Sequence, residues 1–256
     1  MATAPHRSRT RKVEYPTGDG KPFAESDIHR DNMADLIQTL KHYFDDEPMV
    51  YVSGNLLMFY EEGNPRKRIA PDVFVVRGVE NRLRKNYLVW AEGKAPDLVI
   101  EVTSKTTRHE DQVRKRALYR DVLQVPEYFM FDPREDYLHP PLQGFRLVDG
   151  EYLPIEPVAG RLPSDVLGLH LERDGEELRL YDPARSSRVL KSAEVIRATE
   201  QRADTATKQA EAAAKQAEAA EKRADASDSA RREAVAEMER LRQEIESLRG
   251  RTGSGQ

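Results

Sequence analysis

No cysteine occurs among the 256 residues. That absence removes disulfide frameworks, thiolate zinc sites and cysteine nucleophiles together, and it points to a reducing compartment. There is also no run of ~18 apolar residues, the length a helix needs to span a bilayer. The opening MATAPHRSRTRK is basic but has no apolar stretch of the secretory kind. A cytoplasmic protein without a membrane anchor is expected. No Gly-x-x-x-x-Gly-Lys phosphate loop, Gly-x-Gly-x-x-Gly turn or Gly-x-Ser-x-Gly elbow is present. The six histidines, His6, His29, His42, His109, His139 and His170, show no paired metal-ligand spacing. His29 stands apart only because it opens the first helix.

Large apolar residues are scarce at one end. From Ala198 onward only Val235, Met238, Leu241, Ile245 and Leu248 are large and apolar, and no aromatic follows Tyr181. Such a segment cannot build a core by itself. All 15 prolines lie at or before Pro183, so the preceding residues form the globular part. The expected organisation is a flexible arm over 1–22, an α/β domain over 23–183, an Ala-rich helix over 184–250 and a disordered tail over 251–256. Charge divides unevenly. Beyond Pro183 stand 15 Lys and Arg against 13 Asp and Glu, which leaves 26 against 32 before it, so the body carries −6 and the tail +2. A body of that sign does not coat nucleic acid through bulk charge. Contact with phosphates would need local basic patches or a bound cation.

The body reads as helix, strands, helix, strand. Ser26 or Asp27 can cap a helix whose apolar positions Ile28, Met33, Leu36, Ile37, Leu40, Tyr43 and Phe44 recur at three- and four-residue steps. Met49–Tyr60 reads as one or two strands bent at Ser53-Gly54-Asn55. Two strands share a Pro-Asp opening, Pro71–Val76 and Pro96–Thr103, with a basic connection over Asn81–Lys94 between them. Glu110–Leu123 is helical by pattern, with Val113, Ala117, Leu118 and Val122 on one face. Glu127–Asp132 is a further strand, and a helix linking two strands favours parallel pairing of those two. Asp149-Gly150 and Asp174-Gly175 carry hairpin-turn chemistry. The tail holds a heptad seam from Ile196 through Ala203, Ala210, Ala217 and Ala224 to Met238, Leu241, Ile245 and Leu248, interrupted by Arg231. It is either a self-association helix, forming a dimer, or a solvated Ala-rich helix.

The residues hardest to explain as solvated charge are acids on apolar strands. Strand alternation sends Asp97, Val99, Glu101 and Thr103 one way and Leu98, Ile100 and Val102 the other. A buried charge whose partner is missing costs about 3–5 kcal/mol, so something cationic belongs opposite them. If the two Pro-Asp strands pair, Asp72 and Glu101 converge into an oxygen site suited to Mg²⁺ or Mn²⁺. Asp72 and Asp97 are equally readable as strand caps. Asp111, Lys115 and Tyr119 share a helical stripe. Lys115 can then reach the carboxylates over the sheet or simply pair with Asp111.

Four blocks, Ala70-Pro-Asp72-Val-Phe-Val-Val76, Ala95-Pro-Asp97-Leu-Val-Ile-Glu101-Val-Thr-Ser104, Asp111…Lys115…Tyr119 and Val125-Pro-Glu127-Tyr-Phe-Met-Phe-Asp132-Pro133, together resemble the Uma-two restriction endonuclease family. That family lies within the PD-(D/E)xK nuclease superfamily. Tyr51–Leu57 and the helix beginning at His29 resemble it as well, so the likeness covers about 20 to 182. The Ala-rich tail is similar to a coiled-coil extension that some members carry. The resemblance implies a restriction-endonuclease-like α/β core with a mixed sheet, followed by β-hairpins and a long C-terminal coiled-coil helix. It also implies a divalent-metal phosphodiesterase site. Asp72 and Glu101 would be the motif acids and metal ligands, Asp97 a further metal ligand, and Ser104, Tyr119 and Glu127 supporting residues. The superfamily lysine would stand two residues after Glu101, where this chain has Thr103. Lys115 matches a family lysine and would supply that ammonium, with Lys105 as a nearer but less family-like candidate.

Three readings compete. The first is a Mg²⁺- or Mn²⁺-dependent DNA endonuclease using Asp72, Glu101 and Lys115, with Arg66–Arg68 and Arg82–Lys85 on the DNA backbone, acting as a homodimer through the core, the C-terminal helix or both. The second, motivated by Thr103 and the −6 body, is a catalytically idle nucleic-acid- or protein-binding module that self-associates through the tail. The third is a structural coiled-coil adaptor.

Overall fold

A computed structural model of the chain describes residues 13–18, 26–104 and 110–252, the side chains of 110–112 and 247–252 excepted. Most of the expected arm and tail, Lys105 and the Asp111 side chain therefore lie outside the described residues. Two compact units divide the chain, Met1–Glu194 and Val195–Gln256.

The first unit is mixed α/β. It opens with helix α1, Asp27–Tyr43, where the Ser26 hydroxyl accepts from the His29 amide at 3.3 Å, satisfying one of the donors that a helix start leaves open. Its central sheet takes the order β1 (Val50–Ser53), β4 (Val73–Arg77), β6 (Leu98–Val102), β7 (Glu127–Phe131), β8 (Leu142–Val148), β9 (Glu151–Pro154). Only β6 and β7 pair in parallel; every other neighbouring pair in this sheet is antiparallel. A smaller sheet joins β2 (Met58–Phe59), β3 (Arg68–Ile69) and β5 (Tyr87–Leu88). Another takes the order β10 (Leu162–Ser164), β11 (Leu169–Asp174), β12 (Glu177–Asp182), β13 (Ser187–Arg188).

Strands buried on both faces carry continuous apolar runs, and β6 and β7 are buried at every residue. Alternation sorts their side chains into two cores. Val73, Val75, Leu98, Ile100, Val102, Phe129 and Phe131 meet the Met33-Leu36-Leu40 stripe of α1 and the leucines of β11 and β12. Phe74, Val76, Val99, Tyr128 and Met130 meet Tyr119 and Leu123 from the β6–β7 connection, together with Tyr51 and Tyr87. The hairpin strands thus share the core of the central sheet.

Three expectations differ from the structure. The connection over Asn81–Lys94 contains β5 and a short helix, α2, Val89–Glu92. The connection after β6 is π-helical, over Glu110–Lys115 and Leu118–Val122, with the Leu123 amide closing on the Leu118 carbonyl at 3.0 Å. Its apolar-looking positions Val113 and Val122 are exposed, whereas Tyr119 and Leu123 are buried; i→i+5 closure widens the turn and changes which residues face inward. The tail helix, α3, runs Ser192–Thr252 and begins later than expected. The chain first pairs β13 with β12. Glu194 then accepts from the Lys191 amide at 2.8 Å, reaching back over the helix start.

The second unit is the remainder of α3, without Gly or Pro before Gly250. Intrahelical pairs such as Lys208–Asp204 and Lys222–Glu218 lie along it. No helix among the described residues is long and apolar enough to cross a membrane.

Candidate active site

Strand register brings the two motif acids together. Val73 faces Ile100 and Phe74 faces Val99 across the antiparallel β4–β6 pair, so one further step sets Asp72 opposite Glu101. Each acid is held by the backbone of the other's strand. The Asp72 amide donates to Glu101 Oε2 at 3.4 Å, and the Val102 amide donates to Asp72 Oδ2 at 2.8 Å. Both acids lie on the sheet face that bears Phe74 and Val99.

Glu101 is fully buried, and the π-helical connection supplies its partners. Lys115 Nζ donates to Oε2 at 2.9 Å, and the Tyr119 hydroxyl donates to Oε1 at 2.6 Å. Burial, followed by the charge and hydrogen bond of Glu101, pushes the Tyr119 pKa well above the usual tyrosine range, so the phenol stays a proton donor. Lys115 keeps 15% side-chain exposure. It therefore compensates the buried carboxylate while reaching solvent.

His29 Nε2 lies 3.1 Å from Asp72 Oδ2, with both side chains nearly buried. Burial alone would raise the Asp72 pKa. The hydrogen bond from His29, then the charges of Lys115 and His29, outweigh it and hold the carboxyl below the usual aspartate range. The chain around Asp72 also depends on Gly54. A Cβ at Gly54 would stand 2.0 Å from the Asp72 carbonyl oxygen and 2.6 Å from Ile37 Cδ1, and the adjacent Asn55 amide donates to the Pro71 carbonyl at 2.8 Å. Gly54 lies in the bend read from the sequence, but nothing local marks it as the close-approach point beside Asp72.

Other residues of the expected set are engaged elsewhere. Asp97, at the far end of β6, accepts from the Arg77 amide at 2.7 Å and pairs with Lys94 at 2.9 Å. Glu127 lies on the opposite sheet face and receives Arg146, the Ser164 hydroxyl and the Asp165 and Val166 amides. These contacts tie β7 to β8 and to the loop after β10. Thr103 is buried, and its hydroxyl donates to the Phe131 carbonyl at 3.3 Å. Ser104 follows it, half-buried. Among the basic segments, Arg84 and Arg82 converge on Glu92, and Arg84 stacks over Tyr51 at 4.1 Å. Arg66, Lys67 and Lys85 are exposed.

Among the described residues no group of three or more His, Asp and Glu side chains forms a ready metal site. Two opposed carboxylates nevertheless match what Mg²⁺ asks of a protein, since it commonly takes one or two carboxylates and completes its shell with water and substrate phosphate.

No curated protein matches this chain. A solved structure, titled as that of a putative nuclease belonging to DUF820 from Anabaena variabilis, is similar with a TM-score of 0.44 and 16% identity, over 63% of this chain and 90% of that one. Residues 3–175 match the profile of Uma2, described as "Putative restriction endonuclease". That match spans well over half of the sequence and contains every site residue described above; the chain belongs to the Uma2 family.

Proposed function

We propose that the chain is a metal-dependent endonuclease that hydrolyses phosphodiester bonds in DNA. The observation that carries this reading is the set of groups around Glu101: a fully buried carboxylate opposite a second acid, bonded to Lys115 and Tyr119. A carboxylate that served packing alone would be costly to bury with a lysine. Membership of a family described by endonuclease activity supports the same reading.

Asp72 and Glu101 would hold the cation, Mg²⁺ or Mn²⁺. Once bound, it would supply Lewis acidity and a lowered pKa for its water. The protein's own groups do the rest. Tyr119 fixes the Glu101 carboxylate from one oxygen, and His29 with the Val102 amide fixes Asp72. Lys115 places a positive charge beside the acids, where negative charge accumulates on the phosphoryl oxygens in the transition state. It thereby supplies the ammonium that Thr103 lacks, which favours an active site over an idle one. Exposed Arg66, Lys67 and Lys85 provide phosphate contacts that position the backbone without reading sequence. A homodimer through the core or the C-terminal helix and a cytoplasmic setting complete the reading.

The test is nicking of supercoiled plasmid with Mg²⁺. Asp72→Ala and Glu101→Ala are expected to abolish it, and excess chelator to silence the unaltered protein. Equal activity from Glu101→Ala, or in chelator, would overturn the proposal.

A further inference from the structure

The charges along the tail helix follow the heptad. With Met238 and Ile245 at a positions and Ala234 and Leu241 at d, Arg223 and Glu237 occupy g while Asp228 and Arg242 occupy e. In a parallel two-stranded coil each g residue meets the e residue five positions later on the other chain. That rule pairs Arg223 with Asp228 and Glu237 with Arg242, both of opposite sign. An antiparallel pair sets g against g and e against e, so that with Met238 and Leu241 in facing layers Glu237 would meet Glu244, acid against acid.

We infer that α3 joins two copies of this chain in a parallel, in-register coiled coil whose g and e charges favour that arrangement over the antiparallel one. This rests on the reading that the tail self-associates; it does not depend on nuclease activity. The seam residues Ile196, Met238, Leu241 and Ile245 are all about half exposed or more in a single copy, as a face awaiting its partner must be. A β-branched residue at a with Leu at d suits two strands, the arrangement of Ile245 and Leu241. Glu237 has only a loose contact of 3.8 Å with Arg240 in its own helix, of a kind worth little in water. Arg231 occupies an a position and meets its own copy in this register. Its long stem lets the guanidinium leave the seam, and the interruption concentrates apolar contact beyond it. Both copies of the site-bearing unit are then joined to the same end of the coil.

The full chain contains no cysteine, so single introduced thiols report orientation without background. Ala213→Cys and Ala234→Cys, made separately at two d positions, are both expected to form interchain disulfides under mild oxidation. An antiparallel pair can bring identical residues together at one level only. In sedimentation, Glu237→Arg or Arg242→Glu alone should weaken the dimer several-fold, and the two combined should restore it. Monomer mass for the unaltered chain would overturn self-association itself. A dimer that cross-links at one position or neither, or that ignores the single charge reversals, would overturn the parallel register.

Discussion

Lys115 Nζ reaches Glu101 Oε2 at 2.9 Å across the gap between the π-helical connection and the end of β6. The carboxylate has no exposure and the lysine little, so the pair ties charge neutrality in the core to the chemistry proposed for the site. Removing one partner of a buried pair costs far more than the pair contributes.

Lys115→Ala is therefore expected to lower unfolding free energy by about 3 kcal/mol, the lower end for an uncompensated buried charge because the ammonium keeps some water, and to abolish plasmid nicking. The double change Lys115→Met with Glu101→Gln should regain much of that stability and none of the activity. Urea titration and nicking, run on the same preparations, separate the two effects. Full stability in the single variant would show that Glu101 does not depend on Lys115.

Tyr119→Phe keeps the ring packed on Tyr128, at a centroid distance of 5.2 Å, and deletes only the 2.6 Å hydrogen bond to Glu101. Losing a hydrogen bond to a charged, buried group costs about 1.5–3 kcal/mol. A lower denaturation midpoint and a smaller kcat loss than in Glu101→Ala are expected. An unchanged midpoint would argue that this hydroxyl does not support the carboxylate.

Gly54→Ala tests the backbone that presents Asp72. The new methyl would lie 2.0 Å from the Asp72 carbonyl oxygen, and backbone cannot rotate away as a side chain can. Overpacking of this kind costs about 1–3 kcal/mol or more. Nicking should fall beyond the stability loss, because the strain lands on the residue beside the proposed metal. Activity per folded molecule equal to that of the unaltered chain would place Gly54 outside the site's support.

The pairing of Asp72 with Glu101 was readable from alternation and from two Pro-Asp strands, because strand period is a local property of sequence. Position along a strand is not tied to face in the same way. Asp97 has the parity of Glu101, yet four residues at ~3.3 Å each separate them by about 13 Å, and its carboxylate serves Lys94 and Arg77 instead. Glu127 has the opposite parity on β7, and only the packing of β10 against it reveals its role. The π-helical closure left no mark in hydropathy. Val113 and Val122 therefore looked inward-facing although Tyr119 and Leu123 are the buried pair. The contact from His29 to Asp72 spans 43 positions and exists only once α1 docks. The same holds for Gly54, whose need for a missing side chain arises from a strand that follows it.

Stability against acid offers a test remote from the site. Glu172 is buried on β11 between Arg188 and Arg161. Burial favours its neutral form, but the two guanidinium hydrogen bonds and charges outweigh that and lower its pKa from the ordinary 4.5. A depressed carboxyl pKa means that the unfolded chain binds the proton more readily. The group's contribution is therefore complete above the ordinary value and is lost as pH falls through the folded one. Below about pH 4.5 the unaltered chain should lose stability steeply. Glu172→Gln should be less stable near neutrality and show a flatter acid limb, because its amide cannot take up that proton. Urea midpoints recorded from neutral to acid pH for both proteins provide the comparison; limbs that fall in parallel would remove Glu172 from the acid response.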